Sequence, residues 1–139
     1  MSHILGTHHI ALATANFARL RDFYTETLGL PILGGFPGEN LIFIGAGAAA
    51  IELSEEALPL RSPSTGGWAH LALEVADLDA THAALAARGV PFHVLPEPYP
   101  PFAPLMRIAF CTDPDGNVIE LIQPLGKRYA APLQRSGQR

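Results

Sequence analysis

An internal repeat constrains this chain more than any other feature, because a duplicated unit has to fold twice with one element order. Residues 9–16 (HIALATAN) align with residues 70–77 (HLALEVAD) at an offset of 61. After one gap, LGLP at 28–31 aligns with RGVP at 88–91, and IEL at 51–53 aligns with IEL at 119–121 at an offset of 68. At 139 residues and 48% hydrophobic, the chain suits a single domain of 1–139 built from both copies. Module 1 is expected over about residues 4–54, a linker over about 55–66, module 2 over about 67–124 and a basic tail over 125–139.

Periodicity gives each module the order β-α-β-β-β. Residues 7–13 and 68–75 alternate large apolar with small or polar side chains, the pattern of half-buried strands. Asn16 and Asp77 stand where an N-cap oxygen satisfies the free N–H groups of a starting helix. Phe17, Leu20, Phe23, Tyr24 and Leu28 form an apolar stripe that should cover a sheet. Gly29 and Gly89 close the two helices, and Pro31 and Pro91 prevent their resumption. Strands are expected over about 32–36, 40–45 and 48–54, then about 91–95, 105–112 and 117–123. DPDGN at 113–117 reads as the turn of a hairpin, and the five prolines within 96–104 read as a stiff loop outside any sheet. The expected class is α+β: two tandem βαβββ modules with the helices on one face of a mixed sheet.

Strand alternation assigns the faces. If Ile10 and Leu12 pack under the first helix, His9, Ala11 and Ala13 point the other way. In the second copy Leu71, Leu73 and Val75 face the helix and His70, Ala72 and Glu74 face away, while Glu52 and Glu120 stand opposite their apolar flanking residues. Singly, such a Glu is a solvated side chain and such a His a packed or exposed one. Two His and two Glu at equivalent repeat positions on one face instead make an N₂O₂ set suited to a divalent metal. A cation also answers the mutual repulsion of clustered carboxylates.

Other residues carry weaker readings. Cys111 is a small core residue, and one cysteine excludes an internal disulfide. His8 alternates with His9 and should point away from the metal; His3 and His82 read as surface residues. His93 and Tyr99 are candidates for the rim of the site, while Trp68 and Phe43 read as core packing. The net charge is −4, yet residues 125–139 hold Lys127, Arg128, Arg135 and Arg139 and no acid, so the rest of the chain is strongly acidic. That balance disfavours nucleic acid. No apolar run reaches membrane-spanning length and no signal peptide is visible, so a cytoplasmic location is expected. The basic tail reads as a mobile terminus.

The motifs HIAL at 9–12, DFYTETLGL at 22–30, IEL at 51–53, HLAL at 70–73 and DPDGNVIEL at 113–121 together resemble the glyoxalase/bleomycin-resistance/dioxygenase group, the vicinal oxygen chelate superfamily, over residues 4–124. The resemblance implies that His9, Glu52, His70 and Glu120 are metal ligands, a set closest to that of bacterial glyoxalase I, the lactoylglutathione lyases. It further implies a cup formed by paired modules, a homodimer with sites at its interface or built from swapped modules, and one divalent ion per site (Ni, Co, Zn, Mn or Fe). Such an ion would chelate adjacent oxygens of a small-molecule substrate and stabilise an enediolate, with Glu52 or Glu120 as catalytic base. Glutathione-using members carry an Arg four residues after the first ligand and an Asn four after the second, positions that here hold Ala13 and Glu56, so glutathione is not the expected substrate. Arg107, six residues before Asp113, is a candidate for binding an anionic substrate. A closed tetrahedral site would be structural zinc. The remaining alternatives are a dioxygenase, an epimerase, a thiol transferase, or a metal-free ligand- or antibiotic-binding protein.

Overall fold

A computed structural model describes residues 5, 7–36, 38–56, 68 and 70–129. The expected linker core at 57–66, the tail beyond residue 129 and His3 lie outside the described residues. The chain divides into two units: residues 1–69 with the turn Asp113–Asn117, and residues 70–112 with 118–139.

In the first unit, β1 (His9–Thr14) leads to α1 (Phe17–Asp22), then to β2 (Ile32–Gly35), β3 (Leu41–Ala46) and β4 (Ala49–Glu55). In the second, β5 (Leu71–Glu74) leads to α2 (Leu78–Ala87), then to β6 (Phe92–Tyr99), β7 (Met106–Thr112) and β8 (Val118–Pro124). The sheets have the orders β1-β4-β3-β2 and β5-β8-β7-β6. Each opens with one parallel pair, β1 with β4 and β5 with β8, and continues antiparallel. The duplicated βαβββ order is therefore observed in both copies.

Local chemistry sets the element ends. The Asn16 side chain accepts from Arg19 N, and the Asp77 side chain from Ala80 N, so both helices start on a side-chain cap. Gly29 and Gly89 follow the helices at φ 75° and 85°, a conformation that a Cβ would strain. The first helix departs from regularity. After Asp22 it widens into a π-helical turn over Phe23–Thr27, and Leu28 N reaches back to Phe23 O at 2.9 Å. Phe23 and Tyr24, which open this turn, are both buried, together with Phe17 and Leu20. Ile44, Ile51 and Leu53 complete this core; Leu78, Leu85, Ala109, Cys111, Ile119 and Leu121 form the other.

The proline-rich stretch departs from expectation. Pro96 and Pro98 lie inside β6, which runs to Tyr99, and the loop begins only after that residue. β6 is an edge strand with register shifts against β7, and one side of an edge strand needs no ladder donors, so proline is tolerated. Ile10, expected under the first helix, is 49% exposed because β1 is also an edge. Trp68, expected in the core, is 94% exposed. His82 is not a plain surface residue: its ring meets Phe92 edge-on at 4.6 Å between centroids. Arg128 of the basic segment pairs with Glu74 at 2.9 Å.

Candidate metal centre

Register builds the same constellation twice. In the first unit Ala11 is paired with Glu52 across β1 and β4, and Phe43 with Glu52 across β3 and β4, so the three side chains share a face. His9, two residues before Ala11, emerges on that face and reaches Glu52 on the diagonal over the small alanine. Its Nε2 stands 3.6 Å from Glu52 Oε2. In the second unit Ala72 and Phe110 are both paired with Glu120, and His70 directly precedes β5. Its Nε2 stands 3.1 Å from Glu120 Oε1. The carboxylates are the more sheltered partners, 22% and 14% exposed, against 34% and 36% for the imidazoles.

The phenylalanines wall these pairs. The Phe43 and His9 rings meet edge-to-face at 5.6 Å, and the Phe110 and His70 rings at 5.5 Å. Phe110 is a site residue that the sequence pattern alone does not single out, and Phe43, expected in the core, is another. The repeat itself contained the signal: Phe43 and Phe110 occupy corresponding places on the strands paired with those carrying Glu52 and Glu120. His93 packs on the far side of this motif, 6.0 Å from Phe110. His8 departs from expectation. It precedes β1, so strand alternation does not govern it, and its Nδ1 lies 2.9 Å from His9 Nδ1.

The donors fit a metal as half-sites. Two ligand atoms each about 2.1 Å from a cation and at right angles are about 3.0 Å apart. The separation in the second unit matches this spacing, and that in the first is slightly wider. Among the described residues no group of three or more His, Cys, Asp or Glu gathers at one point. Each unit brings together one imidazole–carboxylate pair, His9 with Glu52 and His70 with Glu120.

Arg107 does not join them. It is paired with Gln123 on the helix-bearing face, opposite Phe110 and Glu120, and its guanidinium meets Asp79 of α2 at 2.7 Å. The anion-binding reading therefore gives way to an ion pair between strand and helix. Tyr99 is half exposed on edge strand β6. Among the described residues no helix is long and apolar enough to cross a membrane.

The fold is that of a known class of proteins. The family model of the Glyoxalase/Bleomycin resistance protein/Dioxygenase superfamily matches residues 6–121, and the chain belongs to that family. It is 32% identical over 134 residues to a probable lactoylglutathione lyase of Vibrio parahaemolyticus, covering 91% of this chain and 94% of that protein. Among solved structures it is similar to TnmS3, an antibiotic binding protein from Streptomyces sp. CB03234, with 30% identity, a TM-score of 0.73, and coverage of 89% of this chain and 99% of that one. It is also similar to a superfamily member from Sphaerobacter thermophilus, with 25% identity, a TM-score of 0.70, and coverage of 86% and 98%.

Proposed function

We propose that the protein is a metal-dependent lyase or isomerase of the glyoxalase I type, in which His9, Glu52, His70 and Glu120 hold one divalent ion. The observation that carries this reading is the matched imidazole–carboxylate pair, at equivalent register positions in both units. The name borne by the Vibrio relative supports the reaction class. When bound, the cation supplies the positive charge that makes a carbon acid beside two adjacent oxygens easier to ionise. The chain's own residues do the rest. Each imidazole offers Nε2 as a neutral donor beside a carboxylate. Glu52 or Glu120 takes the substrate proton and returns it to the neighbouring carbon, for which a carboxylate in a partly sheltered site is suited. Phe43 and Phe110 shield the carboxylates from bulk water on one side. Among the described residues, no strand position of either register face beside these pairs is Lys or Arg, Arg128 is engaged with Glu74, and position 56 holds an acid, so the substrate we propose is a small oxygenated molecule other than a glutathione conjugate. A homodimeric, cytoplasmic protein with a single-domain chain completes the proposal.

A second reading rests on the likeness to TnmS3: a metal-free protein that binds an antibiotic or other apolar ligand. Metal analysis of protein purified without chelator separates the two. Close to one divalent ion per site, lost in His70→Ala, supports the lyase. Metal-free protein that nonetheless binds ligand tightly supports the binding module.

A further inference from the structure

We propose that His8 is a positioning residue that fixes the tautomer and ring orientation of His9, so that Nε2 of His9 keeps its lone pair for the proposed cation beside Glu52. This rests on the reading of His9 as a metal ligand. A neutral imidazole carries one N–H and one lone pair. The two Nδ1 atoms, 2.9 Å apart, can bond only when one of them holds the hydrogen. Two polarities are possible, and a cation at Nε2 distinguishes them. If His8 donates, the hydrogen of His9 sits on Nε2, 3.6 Å from Glu52 Oε2, on the atom that a cation beside Glu52 needs unprotonated. If His9 donates through Nδ1, that hydrogen is satisfied by His8 and Nε2 is left as the donor atom a metal requires.

The surroundings hold His8 in that position. Its carbonyl oxygen accepts from Ala50 N at 3.3 Å, tying the residue to β4 before β1 begins. Its ring stands edge-on to His9 at 5.2 Å and to Phe43 at 6.3 Å, and His9 stands edge-on to the same Phe43. Three mutually packed rings restrict rotation of each. The second copy of the repeat has Ala69 where the first has His8, so this support belongs to His9 alone and makes the two half-sites unequal.

The test compares zinc affinity, by competition with a chromophoric chelator, in the full chain, His8→Phe and His8→Asn. Phenylalanine keeps an aromatic ring against Phe43 and removes the acceptor; asparagine returns an acceptor at about the position of Nδ1. The expected result is zinc binding weakened roughly 10- to 100-fold by His8→Phe, with most of the loss recovered in His8→Asn. In zinc-loaded wild-type protein, ¹⁵N spectra of the imidazoles should show a His9 Nδ1 hydrogen held against exchange with water, and His8→Phe should lose that protection. Tight zinc binding by both wild type and His8→Phe overturns the role of His8 and leaves the proposed function standing. So does a His9 Nδ1 hydrogen that exchanges as fast in zinc-loaded wild type as in zinc-loaded His8→Phe. Wild-type protein that binds no zinc, nickel, cobalt, manganese or iron overturns the metal reading and this role with it.

Discussion

At the scale of single residues, Asp113 carries more hydrogen bonds than any candidate ligand. It is 3% exposed. One carboxylate oxygen accepts from the N–H groups of Asp115 and Asn117 at 2.9 Å each, the other from Asn117 Nδ2 at 2.8 Å and Tyr24 Oη at 2.7 Å. Beside it Asp115 accepts from Thr14 Oγ1 at 2.7 Å and pairs with Arg19 at 2.8 Å. Replacing Asp113 by Ala strips four acceptor interactions from a buried place, and we expect a loss of about 2–4 kcal/mol in urea unfolding. Tyr24→Phe removes the bond from Oη to the Asp113 carboxylate and should cost about 1.5–3 kcal/mol. The motif DPDGN showed the turn because its residues are turn formers; nothing in it named Tyr24, since that partner is distant in sequence. Arg107 teaches the converse. Its spacing from Asp113 pointed to a ligand role, but spacing does not report which face a side chain takes, and register places it with Gln123 and Asp79. Arg107→Ala should therefore leave KM for substrate unchanged. Its pair with Asp79 is 26% and 69% exposed, so the stability change should stay below about 1 kcal/mol.

At the scale of elements, helices were legible through their ends and strands through their period. Asn16 and Asp77 cap where expected, and the glycines stop both helices, because those positions depend on one residue and its neighbours. The π-helical turn was not legible: a stripe near period 3.6 fits a regular helix equally well, and only packing against the sheet selects the wider turn in which Phe23 and Tyr24 are both buried. The prolines of β6 misled for a related reason. Proline excludes a central strand but not an edge, and edge status is a property of the whole sheet. The same prolines remove donors that would invite another chain to pair there. A Pro96→Thr, Pro98→Thr double variant should keep the native circular dichroism spectrum yet self-associate at lower protein concentration, as read by light scattering. Unchanged association would mean that the shifted register of β6, and not its prolines, protects the edge.

At the scale of the whole molecule, charge is the property that tests the substrate class we propose. The chain carries 13 acidic against 9 basic side chains, and four of the basic ones stand in the last 15 residues. On the faces that hold the His–Glu pairs, Glu74 stands in line with Ala72, and Glu97 is paired with Ile108 on the Phe110 side. The described arginines found near acids are engaged there: Arg19 with Asp115, Arg21 with Asp22, Arg107 with Asp79 and Arg128 with Glu74. On this balance an approaching anion is expected to meet net repulsion, screened beyond about a Debye length, roughly 10 Å at 0.1 M salt. Two hemithioacetals of methylglyoxal test this directly, one made with glutathione, whose peptide brings two carboxylates, the other with neutral 2-mercaptoethanol. We expect kcat/KM on metal-loaded protein to favour the neutral adduct by at least about tenfold, the factor that some 1.4 kcal/mol of repulsion supplies. We also expect kcat/KM for the glutathione adduct to rise as sodium chloride is increased from about 10 to 300 mM, because salt screens repulsion between like charges. The neutral adduct should show no such slope. If the glutathione adduct instead reacts faster at low salt and slows as salt is added, attraction governs its approach and the charge argument against a glutathione conjugate falls.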